Sequence, residues 1–147
     1  MIGKTLHVEE IKAEHLNKPV VVKGEIVNMG KKHAVPKIIA WQCRACGNIY
    51  KIEQESFYIK RKPAFCECRH RRFVPVPEKS EFIDIQEMRL MSLNRNNFRE
   101  LTVVLTMDSI NKFRKKQQVK VAGAIKIRQN RKNKFDLYLE AAATEVI

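Results

Sequence analysis

The chain has 147 residues and carries 29 Lys or Arg against 16 Asp or Glu, a formal net charge of +13. That length fits one domain with a small subdomain. Positive charge on this scale points to a polyanionic partner, most often nucleic acid, and no stretch approaches the roughly 18 apolar residues of a membrane-spanning helix. The opening MIGKTLHVEEIK has early glutamates and no apolar secretory core, so a reducing, cytoplasmic and nucleoid-associated location is expected.

In chain order, TLHVEEIKAEHL (5–16) predicts a short helical turn or a strand-and-turn lead-in. The β-branched, alternating run from Val20 to Val27 predicts a strand bent at Gly24. Residues 28–37 (NMGKKHAVPK) read as a basic loop, and 38–42 lead strand-like into the first cysteine pair. Residues 43–73 hold all four cysteines and 11 charged residues but only short apolar runs, so they need something besides an apolar core to fold. Beyond them, Phe82–Leu90, Leu101–Thr106 and Val119–Ile127 predict strands, with a loop at 92–97. Residues 128–134 (RQNRKNK) form a basic turn that returns through Phe135–Glu140, making a hairpin, and 141–147 are expected to close a barrel. About five long strands, two of them with interior glycines, suit a mainly β fold, a five-stranded Greek-key barrel of the OB type.

Cys43-x2-Cys46 and Cys66-x-Cys68 are separated by 19 residues. Two close pairs supply the four thiolates that tetrahedral zinc prefers, and Gly47 after Cys46 suits a tight knuckle turn. The predicted ligands are Cys43, Cys46, Cys66 and Cys68, holding a structural Zn2+. Such an ion brings folding free energy on the order of 10 kcal/mol. Because the second pair is one residue shorter than the common spacing, His70 is the rival to Cys68 as fourth ligand. Buried free thiols are the bland alternative, and a catalytic zinc lacks the open position and nearby base that it needs. The predicted domains are therefore 1–42 with 74–147 for the barrel, and 43–73 for an inserted zinc-ribbon-like subdomain.

From Ser109 to Phe135 there is no acidic residue and there are ten Lys or Arg. Lys112, Arg114, Lys115 and Lys116 precede a strand, while Lys126, Arg128, Arg131, Lys132 and Lys134 decorate the hairpin. Such a hairpin suits contact with phosphates, since each paired cation releases condensed counterions; a solvated turn is the alternative. Further basic clusters lie at Lys31, Lys32 and Lys37 and at Arg69, Arg71 and Arg72. Trp41, Tyr50, Phe57, Tyr58, Phe73, Phe98 and Tyr138 read as core or knuckle packing. That reading favours contact with backbone charge over base stacking. No P-loop, nucleophile elbow or catalytic cysteine–base pair occurs, and His7, His15, His33 and His70 are scattered, so the chain is not expected to be an enzyme.

Taken in order, these segments resemble the N-terminal region of archaeal-type MCM replicative DNA helicases. HVEEIKAEHLNKPVVVKGEIV resembles the lead-in and first OB strand of that family; WQCRACGNIYKIEQE and KPAFCECRHRRF its zinc insertion; FIDIQEMRL the strand that returns from it. FRELTVVLTMDSINKF and VKVAGAIKIRQNRKNKFDLYLEAAATEVI resemble its later strands and basic hairpin. The resemblance implies a non-catalytic, DNA-binding collar that self-associates into a hexameric ring, with the zinc subdomain supporting ring-to-ring contact. It also implies DNA contact at Arg99 and Lys37, and at the hairpin cations Lys126, Arg128, Arg131, Lys132 and Lys134. The stretch contains neither the ATPase domain nor the helical subdomain of such helicases, its second knuckle is shortened, and its 91–98 loop is shorter than usual. Two other readings remain: a standalone zinc-containing OB protein that binds single-stranded DNA, similar to replication-protein-A-like proteins, and a zinc adaptor for RNA or protein.

Overall fold

The period-2 alternation read above becomes nine strands in a computed structural model, which describes residues 5–94, 96–129 and 132–147. In order these are β1 (Thr5–His7), β2 (Pro19–Met29), β3 (His33–Cys43), β4 (Ile49–Glu53), β5 (Phe73–Pro75), β6 (Glu81–Met91), β7 (Glu100–Thr106), β8 (Gln118–Gln129) and β9 (Phe135–Val146). The chain divides into two compact units, Met1–His33 with Asp84–Ile147, and Ala34–Ile83. Among the described residues no helix is long and apolar enough to cross a membrane.

In the first unit β2 pairs antiparallel with β8, β8 with β9, and β6 with both β7 and β2, while β7 and β9 run parallel. These pairings form a ring of five strands, the barrel that the strand count predicted. Inward positions along each strand are apolar: Val22 and Ile26, Met88 and Leu90, Leu101, Val103 and Leu105, Val119, Val121 and Ile125, and Leu139. Each is worth about 1.5–3 kcal/mol relative to an exposed position. The lead-in adds Val8 and Ile11 to the same core. It does so through two short helical turns, Val8–Glu10 and Ala13–His15, after the edge strand β1. The two strand glycines mark close approaches of backbone. A Cβ at Gly24 would stand 2.9 Å from the Met91 carbonyl oxygen, and one at Gly123 would run into the Glu140 carbonyl, where β9 bulges opposite it.

In the second unit β3 pairs antiparallel with β4 through residues 38–42 and with β5 through residues 41–43. This unit takes in more chain than the 43–73 segment that the cysteines mark, because β3 and the Pro77–Lys79 turn pack with it. Ser80 Oγ accepts the Ala40 N–H at 2.9 Å and donates to the Val76 carbonyl at 2.8 Å. The Trp41 indole N–H donates to the Arg61 carbonyl at 3.0 Å, and the Gln54 side chain holds both the N–H and the carbonyl of Arg61.

Two local expectations are corrected. The basic loop 28–37 shrinks to 30–32, because β2 runs to Met29 and β3 starts at His33. Alternate strand positions leave their N–H off a given neighbour's ladder, so one proline at Pro36 does not end β3. Phe98 is not core: it stands 79 % exposed in the unpaired segment before β7. Trp41 and Tyr138 are buried as expected.

Candidate metal centre and basic groove

The four cysteines converge within the second unit. One ligand atom from each lies within 4.8 Å of all the others. Cys43 and Cys68 sulfurs stand 3.6 Å apart, and those of Cys46 and Cys66 3.4 Å apart. Four sulfurs at 2.3 Å from one zinc ion stand about 3.8 Å from each other, so both the donor set and the spacing suit a tetrahedral thiolate site.

Each pair sits on its own turn. In the first, Cys43 N–H bonds to the Asn48 carbonyl and Gly47 N–H to the Cys43 carbonyl, with Gly47 at φ +81°. In the second, Cys66 N–H bonds to the His70 carbonyl and Arg69 N–H to the Cys66 carbonyl, with Arg69 at φ +73°. A left-handed residue thus directly follows the second cysteine of both knuckles, and the shortened spacing still delivers its two sulfurs. Arg69 adopts a conformation that L side chains take at some cost, which the sequence did not signal. His70 Nδ1 lies 3.4 Å from Cys68 Sγ, beside the cluster rather than within it.

The sulfurs differ in readiness to ionise. The Tyr50 hydroxyl, 3.3 Å away, and the Cys68 backbone N–H pull the Cys66 thiol down to about 6. The Cys43 thiol is also lowered, chiefly by the Cys46 backbone N–H. The His70 backbone N–H favours the Cys68 thiolate, yet burial and the neighbouring sulfurs push that thiol up to about 12. Crowded thiols that cannot all ionise alone are what a divalent cation relieves.

The first unit carries a groove of about 590 Å³ whose lining includes Arg89, Arg99, Thr102, Arg128 and Phe135. A smaller hollow of about 250 Å³ shares Arg89, Thr102 and Arg128 and adds Asn28, Gly30 and Glu87. Both sit against β6 and β7, the second and third strands of the barrel, which in OB folds engage oligonucleotides. Residues 7–129 match the protein family described as the MCM OB domain. The chain belongs to that family. It is also similar in fold to the crystal structure of the N-terminal domain of an archaeal MCM, with a TM-score of 0.76 at 20 % identity, over 97 % of this chain. It spans 61 % of that solved chain. No curated protein matches the sequence.

Within this MCM OB domain the sequence-predicted contacts separate. Arg99 lines the groove, with one guanidinium nitrogen 3.2 Å from the Glu9 carbonyl. Arg128 also lines it, but is bound to Glu87 at 2.8 Å and to Thr102 Oγ1 at 3.3 Å. Lys132 and Lys134 are exposed on the hairpin. Lys126 lies where it lowers the Glu140 carboxyl rather than on the groove lining. Lys37 is exposed on β3 in the second unit. Arg131 lies outside the described residues. Arg89 and Phe135 went unread in the sequence. Strand alternation in FIDIQEMRL already sets Glu87 and Arg89 on the face opposite Met88 and Leu90; the partners of that face were not legible.

Proposed function

We propose that this chain is a DNA-binding and self-associating module of an MCM-type replicative helicase, with a structural zinc ion held by Cys43, Cys46, Cys66 and Cys68. The observation that carries the DNA reading is the groove in which β6, β7 and the β8–β9 hairpin bring Arg89, Arg99 and Arg128 together. Arginine forks suit phosphate oxygens, and the exposed Lys132 and Lys134 extend the positive surface along the hairpin. Membership of the MCM OB domain family supports self-association into a ring and a part in DNA replication. The zinc is structural on this reading: four thiolates leave no open coordination position for chemistry.

Binding of labelled DNA across a salt series tests the groove. Arg89→Ala with Arg99→Ala is expected to weaken binding for any sequence and to flatten the salt slope by about 2 on duplex DNA. An unchanged slope would remove the groove from the reading. Size-exclusion chromatography with light scattering tests the other half. A ring, or an oligomer promoted by DNA, supports the collar; a strict monomer with tight single-strand binding favours the standalone binder instead.

A further inference from the structure

Much of the positive charge lies away from the groove. The segment 107–117 between β7 and β8 carries Lys112, Arg114, Lys115 and Lys116, and the turn 30–32 after β2 carries Lys31 and Lys32. Both belong to the first unit. Gln86, buried on β6, ties them together. Its Nε2 donates to the Gly30 carbonyl at 2.9 Å and to Asn111 Oδ1 at 3.2 Å, and its Oε1 accepts the Asn111 N–H at 2.8 Å. The backbone holds the segment as well. Lys116 N–H donates to the Ile26 carbonyl at 2.7 Å, Ile26 N–H donates to the Gln117 carbonyl at 2.9 Å, and Gln117 Oε1 accepts the Arg114 N–H at 2.8 Å. Asn111 and Lys116, at φ +62° and +73°, take the left-handed conformation that residues other than glycine adopt at some cost. Such strain persists where the surroundings over-determine the backbone, so this is a fixed turn that carries its cations outward. All six are exposed. Among the described residues only Lys32 of the six meets a carboxylate, Asp84 at 4.0 Å, and both of those side chains are more than half exposed. The two segments contain one carboxylate of their own, Asp108. Their one aromatic residue, Phe113, packs against the core.

We infer that this end of the barrel is a further DNA contact, separate from the groove, that takes the phosphates of a duplex without reading its bases. The inference rests on the proposed reading of the chain as a DNA-binding module. β7 separates the two places. Glu100, Leu101 and Thr102 line the groove, while the other end of the strand enters the 107–117 segment. A strand of that length spans about 20 Å. Duplex DNA carries one phosphate per roughly 1.7 Å of helix axis, so several fall within reach of six clustered cations. An unpaired strand presents fewer, and its bases find no exposed ring here. A second copy of this chain, itself at +13, is repelled by such an end.

Binding of a labelled duplex of arbitrary sequence across a salt series tests the inference. Arg114→Gln with Lys115→Gln is expected to lower the salt slope by about 2, and adding Lys31→Gln from the other turn to lower it by about 1 more. Lys116 stays unchanged so that the turn keeps its shape. Lys60→Gln with Lys62→Gln removes the same charge from exposed positions of the second unit and should leave the slope unaltered. Equal flattening by that control would reduce the effect to net charge and overturn the inference. So would an unaltered slope for the Arg114 and Lys115 variant, or a larger loss on oligo-dT than on duplex. Poly-glutamate that competes as well as duplex of equal charge would assign this end to an acidic protein segment instead. If Arg89→Ala with Arg99→Ala flattens the slope while Arg114→Gln with Lys115→Gln does not, the groove stands and this contact falls. The converse supports this contact and removes the groove. If the parent binds no DNA, both fall. Circular dichroism confirms that each variant is folded.

Discussion

Glu140 illustrates how placement, rather than residue type, sets a side chain's chemistry. Burial pushes its carboxyl above the usual carboxylate range, although the Tyr138 hydroxyl at 2.9 Å and the nearby Lys126 both favour the charged form. A carboxyl with a raised folded pKa holds its proton more tightly in the folded state than in the unfolded one. Its stabilising contribution is therefore complete below the unfolded value and is lost as pH rises through the folded value. Glu140→Gln removes that loss and keeps an oxygen for the Tyr138 hydroxyl. Denaturant melts of parent and variant are expected to diverge from acid to neutral pH, with the variant gaining relative to the parent. A variant that loses ground on going to neutral pH would contradict this account. Tyr50 plays a comparable part in the second unit, where its hydroxyl and the Asn48 amide both address Cys66 Sγ.

The hairpin that β8 and β9 form is tied down near its turn. Arg128, which pairs across to Asp136 in the strand register, reaches Glu87 on β6. The ion pair is partly exposed, at 26 % and 31 % for the two side chains, so it is of modest strength and open to exchange. On the proposed reading, a phosphate oxygen would compete with the Glu87 carboxylate for the same guanidinium. Glu87→Gln is expected to raise DNA affinity and to steepen the salt slope by about 1; weaker binding would mean that the pair serves mainly to position the hairpin. The knuckles are elements of another kind. Their turns are closed by backbone hydrogen bonds at Gly47 and Arg69, yet the buried apolar set of that unit is small: Val35, Ile39, Ala40, Trp41 and two of the cysteines themselves.

At the scale of the whole molecule, two units fold on different terms. The first buries a continuous apolar core within its closed ring of strands. The second buries few apolar side chains, and on the proposed reading its four sulfurs hold it together through zinc. Chelation is therefore expected to raise amide hydrogen exchange through residues 43–73 while exchange in β2, β7 and β8 stays slow. Acidification should act the same way, since binding requires thiolates and protons compete for them. Metal analysis of the reduced protein that finds no zinc, or exchange unaltered by chelation, would overturn the structural role of the ion.

The cysteine spacing and the period-2 alternation were legible from the chain alone, because both are local. Ligand pairs lie within three residues of each other, and alternate strand residues face the same side whatever they pack against. The same locality gave the strands around Gly24 and Gly123 and the hairpin of basic residues. What only the tertiary structure decided is which side chains meet. Arg89 on β6, Arg99 before β7, Arg128 on β8 and Phe135 on β9 share one groove, whereas Lys126 of the same unit does not line it. That convergence depends on the antiparallel β6–β7 register, the parallel β7–β9 pairing and the β9 bulge opposite Gly123. These are pairings between residues far apart in the chain, and nothing in a local pattern specifies their register.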